Sequence, residues 1–222
     1  MSEDNAYYRG SNASFTLFEA PGRPAWRPPQ LGALGALTAH WSLPQATPAL
    51  VSLPTGTGKT AVAIAAAHLA GCQRVLVVVP STELRHQMAT AFRSEEVLIR
   101  LGALARKREP IVVEASRRLA RWEDLEAVDV VVALPQSISP IHYQDNPPPP
   151  NLFDLVIVDE AHHAPAPTWR AILDHFSSAR AVLLTATPRR RDGQRLPGNH
   201  IYHYPLRQAL DEGIFKRVDA RM

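Results

Sequence analysis

The sequence predicts an α/β domain built on a central, mostly parallel sheet with helices on both of its faces. Three patterns carry that expectation: short apolar runs rich in β-branched residues, helical stretches that alternate with them, and proline groups that separate the units. A strand buried on both faces has no polar side to show, so its sequence is a continuous apolar run rather than an alternation.

Taken in order, residues 1–20 show little periodicity and read as a loose or peripheral lead-in. Residues 21–216 carry the organised pattern. After the proline-rich Pro21–Pro29, Leu31–Trp41 reads as a helix. Leu50–Leu53 is a short apolar run, followed by a glycine-containing turn and the alanine-rich helical stretch Thr60–Ala70, which Gly71 stops. Val75–Val79 is a buried-strand run and Thr82–Phe92 a helix. Val128–Leu134, Leu155–Val158 and Ala181–Leu184 repeat the buried-strand look, with the stiff Pro147–Pro150 loop just ahead of the second. Residues 94–127 carry Arg100, Arg106, Lys107, Arg108, Arg117, Arg118 and Arg121 without a clear period. A solvated helix face and a nucleic-acid-facing edge both account for such a run.

Composition bounds the function. Hydrophobic residues make up 45% and charged residues 20% of the 222, the balance of a globular domain rather than a disordered one. A formal charge of +3 is no polycation, so any affinity for nucleic acid comes from local patches. Cys72 is the single cysteine, which excludes an internal disulfide and disfavours a cysteine-based zinc site. His163, His175, His200 and His203 lack ligand spacing. No run approaches the roughly 20 apolar residues of a membrane span, and Met1–Gly10 has no apolar core of a signal peptide. The expectation is a soluble cytoplasmic protein.

Leu53-Pro54-Thr55-Gly56-Thr57-Gly58-Lys59-Thr60 lies between an apolar run and a helix. A polyphosphate requires backbone that curls round it with N–H groups pointing inward. Thr55 to Gly58 supply that curl, and the following helix N-terminus adds its dipole. Lys59 then reaches the β- and γ-phosphates, and the Thr60 hydroxyl binds Mg²⁺. The strict pattern has glycine where Leu53 stands. Further on, Leu155-Val156-Ile157-Val158 ends in Asp159-Glu160-Ala161-His162. Carboxylates at the C-terminal end of a buried strand stand where open α/β sheets bind ligands. Asp159 suits Mg²⁺, and Glu160 suits polarising the attacking water.

Together these segments resemble motifs I and II of superfamily-2 helicases and translocases of the DEAH type. The other motifs follow in the expected order. Arg27-Pro28-Pro29-Gln30 resembles the segment whose glutamine reads adenine, which casts Gln30 in that role. Val79-Pro80-Ser81-Thr82-Glu83-Leu84, with Gln87, is similar to motif Ia. Val131–Ile138 is similar to motif Ib. The resemblance therefore implies nucleic-acid contacts at Pro80, Ser81, Thr82, Gln136 and Ser137. Leu184-Thr185-Ala186-Thr187-Pro188 resembles motif III, so Thr185 and Thr187, together with His162, would couple the ATP site to the bound strand. Tyr204–Gly213 is similar to the connector after the first motor domain.

The likeness covers residues 24–216 and is nearest to the restriction-enzyme motor-subunit branch. It implies a first RecA-like domain that uses ATP and Mg²⁺ on DNA more readily than RNA, with 217–222 beginning the connector to a second RecA-like domain. Because the chain ends at Met222, that partner domain is expected in a longer chain or a separate subunit. The chain alone is then expected to hydrolyse ATP poorly, since a missing arginine finger costs about 10³–10⁵ in rate. The alternatives are a nucleotide-gated nucleic-acid-binding module without turnover and a small-molecule kinase. Arg189, Arg190, Arg191 and Arg195 after motif III fit either a solvated loop or a nucleic-acid contact.

Overall fold

The structure is a computed structural model and describes residues 6–9, 13–17, 21–44, 47–116, 121–143, 146–161, 166–187 and 196–214. His162, His163, Arg117, Arg118, Arg189, Arg190, Arg191, Arg195 and residues 217–222 lie outside that set.

The helices are α1 (Pro28–Trp41), α2 (Lys59–Ala70), α3 (Thr82–Ser94), α4 (Glu96–Arg100), α5 (Pro135–Ile138), α6 (Ala166–His175) and α7 (Leu206–Asp211). The strands are β1 (Ala13–Phe15), β2 (Ala49–Ser52), β3 (Val75–Val78), β4 (Leu104–Arg106), β5 (Val112–Ala115), β6 (Val130–Ala133), β7 (Leu155–Val158), β8 (Arg180–Thr185) and β9 (Asn199–His203). Seven strands form one sheet in the order β5-β6-β3-β7-β8-β2-β9. All its pairings are parallel. Strands β2, β3, β6 and β7 are buried at every position, which explains their unbroken apolar sequences.

Alternate residues of these strands feed two separate cores. Val51, Val77 and Ile157 face the layer containing Leu34, Ile64 and Phe92, from α1, α2 and α3. Leu50, Val78 and Val158 face the layer containing Ile138 of α5 and Ile172 of α6. The expected helix-covered parallel sheet is therefore present on both faces. Local chemistry sets the ends: Ser81 accepts from Leu84 N (3.2 Å) to cap α3, and Gly71 closes α2 in the left-handed region (φ 56°). His175 holds the proline loop through Pro148 O (2.6 Å).

The structure departs from the sequence reading at the N-terminal side. The lead-in, expected to be loose or peripheral, places Tyr7 and Tyr8 at 0% and 7% exposure. β1 pairs antiparallel with β4. Tyr7 donates from its hydroxyl to Glu95, a fully buried carboxylate that also meets His68 Nε2 at 2.8 Å. Tyr7 N donates to Asp129 Oδ1 (3.0 Å), and Phe15 stacks on the His68 ring. Burying such a carboxylate without partners is costly, so the segment that supplies Tyr7 is held by that need as well as by packing. Within residues 94–127, Arg106 and Arg108 are committed to Glu95, Glu109 and Asp129.

Candidate active site at the carboxyl ends of the strands

β2 runs straight into the glycine loop. Leu53 is fully buried and donates its N–H to Thr185 O (2.8 Å), so this position continues the strand and has no need of glycine. Thr57 folds the loop back by bonding Pro54 O through both its N–H (3.3 Å) and its hydroxyl (2.7 Å). Gly58 caps α2 with φ 98°, and a Cβ there would stand 2.1 Å from Gln30 Nε2. Both the dihedral and the crowding require glycine. Lys59 is the first residue of α2, whose first turn has no acidic residue, leaving its positive end for an anion.

The Arg-Pro-Pro-Gln segment is fastened to this loop. Arg27 donates from Nη1 to Gly56 O (2.7 Å), and Gln30 Oε1 accepts from Arg27 N (2.9 Å). Gln30 is 5% exposed. The sequence reading gave Arg27 no role of its own; its grip on a loop carbonyl is a tertiary contact that no local pattern signals.

Two strands away, β7 delivers the acidic pair. Asp159 donates its N–H to Val78 O (2.9 Å), and Asp159 Oδ1 accepts from Glu160 N (3.0 Å). Glu160 takes a left-handed backbone conformation (φ 50°), uncommon for a residue with a side chain. Its Oε1 accepts from Lys59 Nζ at 2.5 Å. Residues 101 apart in sequence are thereby in contact, with side chains 9% and 18% exposed. Thr60, next to Lys59, remains half-buried.

Asp159 is short of positive charge. Burial pushes its carboxyl up to about 6 from 3.8; Lys59 opposes the shift and Glu160 adds to it. Two adjacent acids face one lysine here, and carboxylate oxygens are donors of the kind Mg²⁺ takes. The sign of the shift gives a test. The folded carboxyl binds its proton more tightly than the unfolded one, so the ligand-free domain loses stability as pH climbs from about 4 to about 6. Asp159→Asn removes that loss. In urea denaturation without nucleotide it is expected to stabilise the domain by about 3 kcal/mol at pH 7.5, with the difference vanishing near pH 4. Equal stability at pH 7.5 would contradict the assigned environment.

β8 lies between β7 and β2 and touches both sites. Ala161 N donates to Leu184 O (3.2 Å), while Thr185 O receives Leu53 N. The Thr185 hydroxyl, fully buried, donates to Thr187 O (2.7 Å) and accepts from Thr187 N (3.1 Å). The remaining expected contacts divide. Ser81, Thr82 and Gln136 are exposed at the C-terminal ends of β3 and β6, and Pro80 is half-buried. Ser137 is 3% exposed, and its carbonyl accepts from Tyr143 Oη (2.5 Å), so its side chain presents no open surface. A dyad absent from the sequence reading sits beside Thr185: Ser52 Oγ and His200 Nε2 are 2.9 Å apart.

A phosphate loop and an acidic turn brought together across a parallel sheet make this the first RecA-like domain of a superfamily-2 motor. Residues 23–190 match the family model described as "Type III restriction enzyme, res subunit", and the chain belongs to that family. It is 39% identical over 71 residues to the Type I restriction enzyme EcoAI endonuclease subunit of Escherichia coli, covering 29% of this chain and 9% of that protein. It is 34% identical over 99 residues to the Putative ATP-dependent helicase IRC3 of Saccharomyces cerevisiae, covering 40% of this chain and 14% of that protein. The fold is shared with the Type ISP restriction-modification enzyme LlaGI, solved as a nuclease-deletion mutant in complex with a DNA substrate mimic. That match has a TM-score of 0.58 and 21% identity, over 88% of this chain and 21% of that one. The chain thus matches only a small part of each of these longer proteins.

Proposed function

We propose that the domain binds MgATP between the Lys59 loop and the Asp159–Glu160 turn and, once closed by a second RecA-like domain, hydrolyses it to drive movement along DNA. The observation that carries this reading is the 2.5 Å contact between Lys59 and Glu160, which joins the two segments the chemistry requires.

Each residue then has a stated task. Backbone N–H groups of Thr55 to Gly58 and the start of α2 receive the phosphate oxygens. Lys59 leaves Glu160 and moves onto the β- and γ-phosphates. Thr60 and Asp159 would hold magnesium, which when bound would supply positive charge to the phosphates. Glu160, relieved of Lys59, holds the attacking water and takes its proton as oxygen bonds to the γ-phosphorus and the β–γ bridging bond breaks, leaving ADP and phosphate. Gln30, pinned beside Gly58, faces the base. Thr185 and Thr187 connect this site to the strand-facing residues Pro80, Ser81, Thr82 and Gln136, and His162 completes that coupling as a DEAH motif.

DNA is favoured over RNA because the family description and two of the matched proteins are restriction enzymes. A cytoplasmic location fits the single, buried Cys72. Among the described residues no helix is long and apolar enough to cross a membrane.

A steady-state ATPase assay tests the whole. The chain alone is expected to turn over about 10³–10⁵ more slowly than the same domain joined to a second RecA-like domain, with DNA stimulating only the joined form. Rapid, DNA-stimulated turnover by the chain alone would overturn the two-domain reading. Binding without turnover in the joined form would favour a nucleotide-gated module.

A further inference from the structure

β5 interrupts its apolar run with Glu114, and the acid has two partners on α3. Glu114 Oε2 stands 3.3 Å from Arg85 Nε, and Oε1 stands 3.1 Å from His86 Nδ1. Burial works against the charged carboxyl, yet the hydrogen bonds to His86 and Arg85 outweigh it and hold Glu114 below the usual carboxylate value. Glu83, the acid in the first turn of α3, is met instead by Gln87 Nε2 at 3.3 Å. One carboxylate thus engages both Arg85 and His86.

The place of this cluster in the fold gives it a meaning. β5 lies beside β6 and β6 beside β3, all parallel, so Glu114 stands toward the end of the sheet that carries Ser81, Thr82 and Gln136. Arg85 N donates to Ser81 O (2.9 Å), which ties the cluster to that segment. Thr82 and His86 are four residues apart on one helix, a spacing that sets side chains about 5–6 Å apart on a single face. Arg85 is 9% exposed, whereas the His86 side chain is 74% exposed. A solvent-facing imidazole next to a buried guanidinium can receive an anionic oxygen, and here Glu114 supplies it.

A phosphodiester offers the same kind of acceptor and competes for the same donors. Resting on the reading of Ser81, Thr82 and Gln136 as the strand-facing side, we propose that Arg85 and His86 form a further phosphodiester subsite, which Glu114 occupies in the resting domain and yields to the strand. A strand that reaches Thr82 meets His86 next. Using it requires breaking the contacts already made by the carboxylate, so Glu114 holds down the affinity of the resting domain for nucleic acid.

Fluorescence anisotropy of the 222-residue chain with a short labelled DNA duplex, from about 50 to about 200 mM salt, tests this. Glu114→Gln keeps the shape of the side chain and removes its charge. It is expected to bind at least about threefold tighter at the lower salt, with a log–log salt slope steeper by about 0.9, the mark of one more phosphate contact. Adding His86→Ala should return the slope to that of the parent. Glu123→Gln removes the same charge from an exposed turn ahead of β6, toward the other end of the sheet. It should change affinity by less than about twofold. An unchanged slope in Glu114→Gln would overturn the proposal, as would a slope that stays steep once His86 is gone. An equal gain in Glu123→Gln would also overturn it, because net charge alone would then account for the effect. Failure of the strand-facing reading looks different and takes the proposal with it: Thr82→Asp would bind the duplex as tightly as the parent, or the parent would not bind at the lower salt.

Discussion

Lys59→Ala is expected to lower MgATP affinity by about thirtyfold or more while the domain stays folded. An ammonium on phosphate is a charge-assisted contact, and truncating one member of such a buried pair costs about 2–5 kcal/mol, or roughly 30- to several-thousand-fold in affinity. The same change removes the Lys59 charge that Glu160, 18% exposed, and Asp159 both face. A drop in the stability of the ligand-free variant should therefore accompany the loss of binding. Adding Glu160→Gln to Lys59→Ala should recover part of that stability and none of the affinity. Calorimetry and urea denaturation on the two variants separate these effects. Unchanged MgATP affinity in Lys59→Ala would remove the loop from the nucleotide site.

Glu160→Gln is expected to do the opposite to binding. In the ligand-free domain Glu160 occupies Lys59, so a triphosphate must displace it. The amide holds the lysine far less strongly, which frees it for phosphate and raises MgATP affinity several-fold. Turnover in the two-domain form should fall by about 10²–10⁴, the usual contribution of a general base, so bound ATP accumulates. Rapid-quench measurement of bound ATP against ADP reads this directly. A variant that binds weakly and hydrolyses at the parent rate would assign Glu160 to ligand anchoring instead.

Most of the central sheet was legible because its strands are covered on both faces. Val75–Val79, Val128–Leu134 and Leu155–Val158 each hold their strand, since double burial leaves a continuous apolar signature. The edge strand β9 carried no such signature. Asn199, His200 and His203 are exposed, so its sequence reads as loop. The same holds for β5, where Glu114 interrupts the run to pair with Arg85 and His86. The N-terminal segment defeated periodicity altogether. What holds Tyr7 is a carboxylate 88 residues away, and no local pattern encodes a partner at that distance. In the candidate site, the positions of Lys59, Asp159 and Glu160 beyond the ends of two buried strands were legible from the apolar runs that precede them. The burial of Ser137 and the grip of Arg27 were not, since both depend on how distant loops pack.

The contact between Lys59 and Glu160 bears on which form of nucleotide the site is expected to admit. With Asp159 ionised above about 6 and Lys59 paired with Glu160, these three side chains together carry one net negative charge at neutral pH. On the proposed reading, nucleotide without its dication is expected to meet like charge there. Its magnesium chelate would bring the missing positive charge in the same step, so that selection for the complexed fuel would precede hydrolysis.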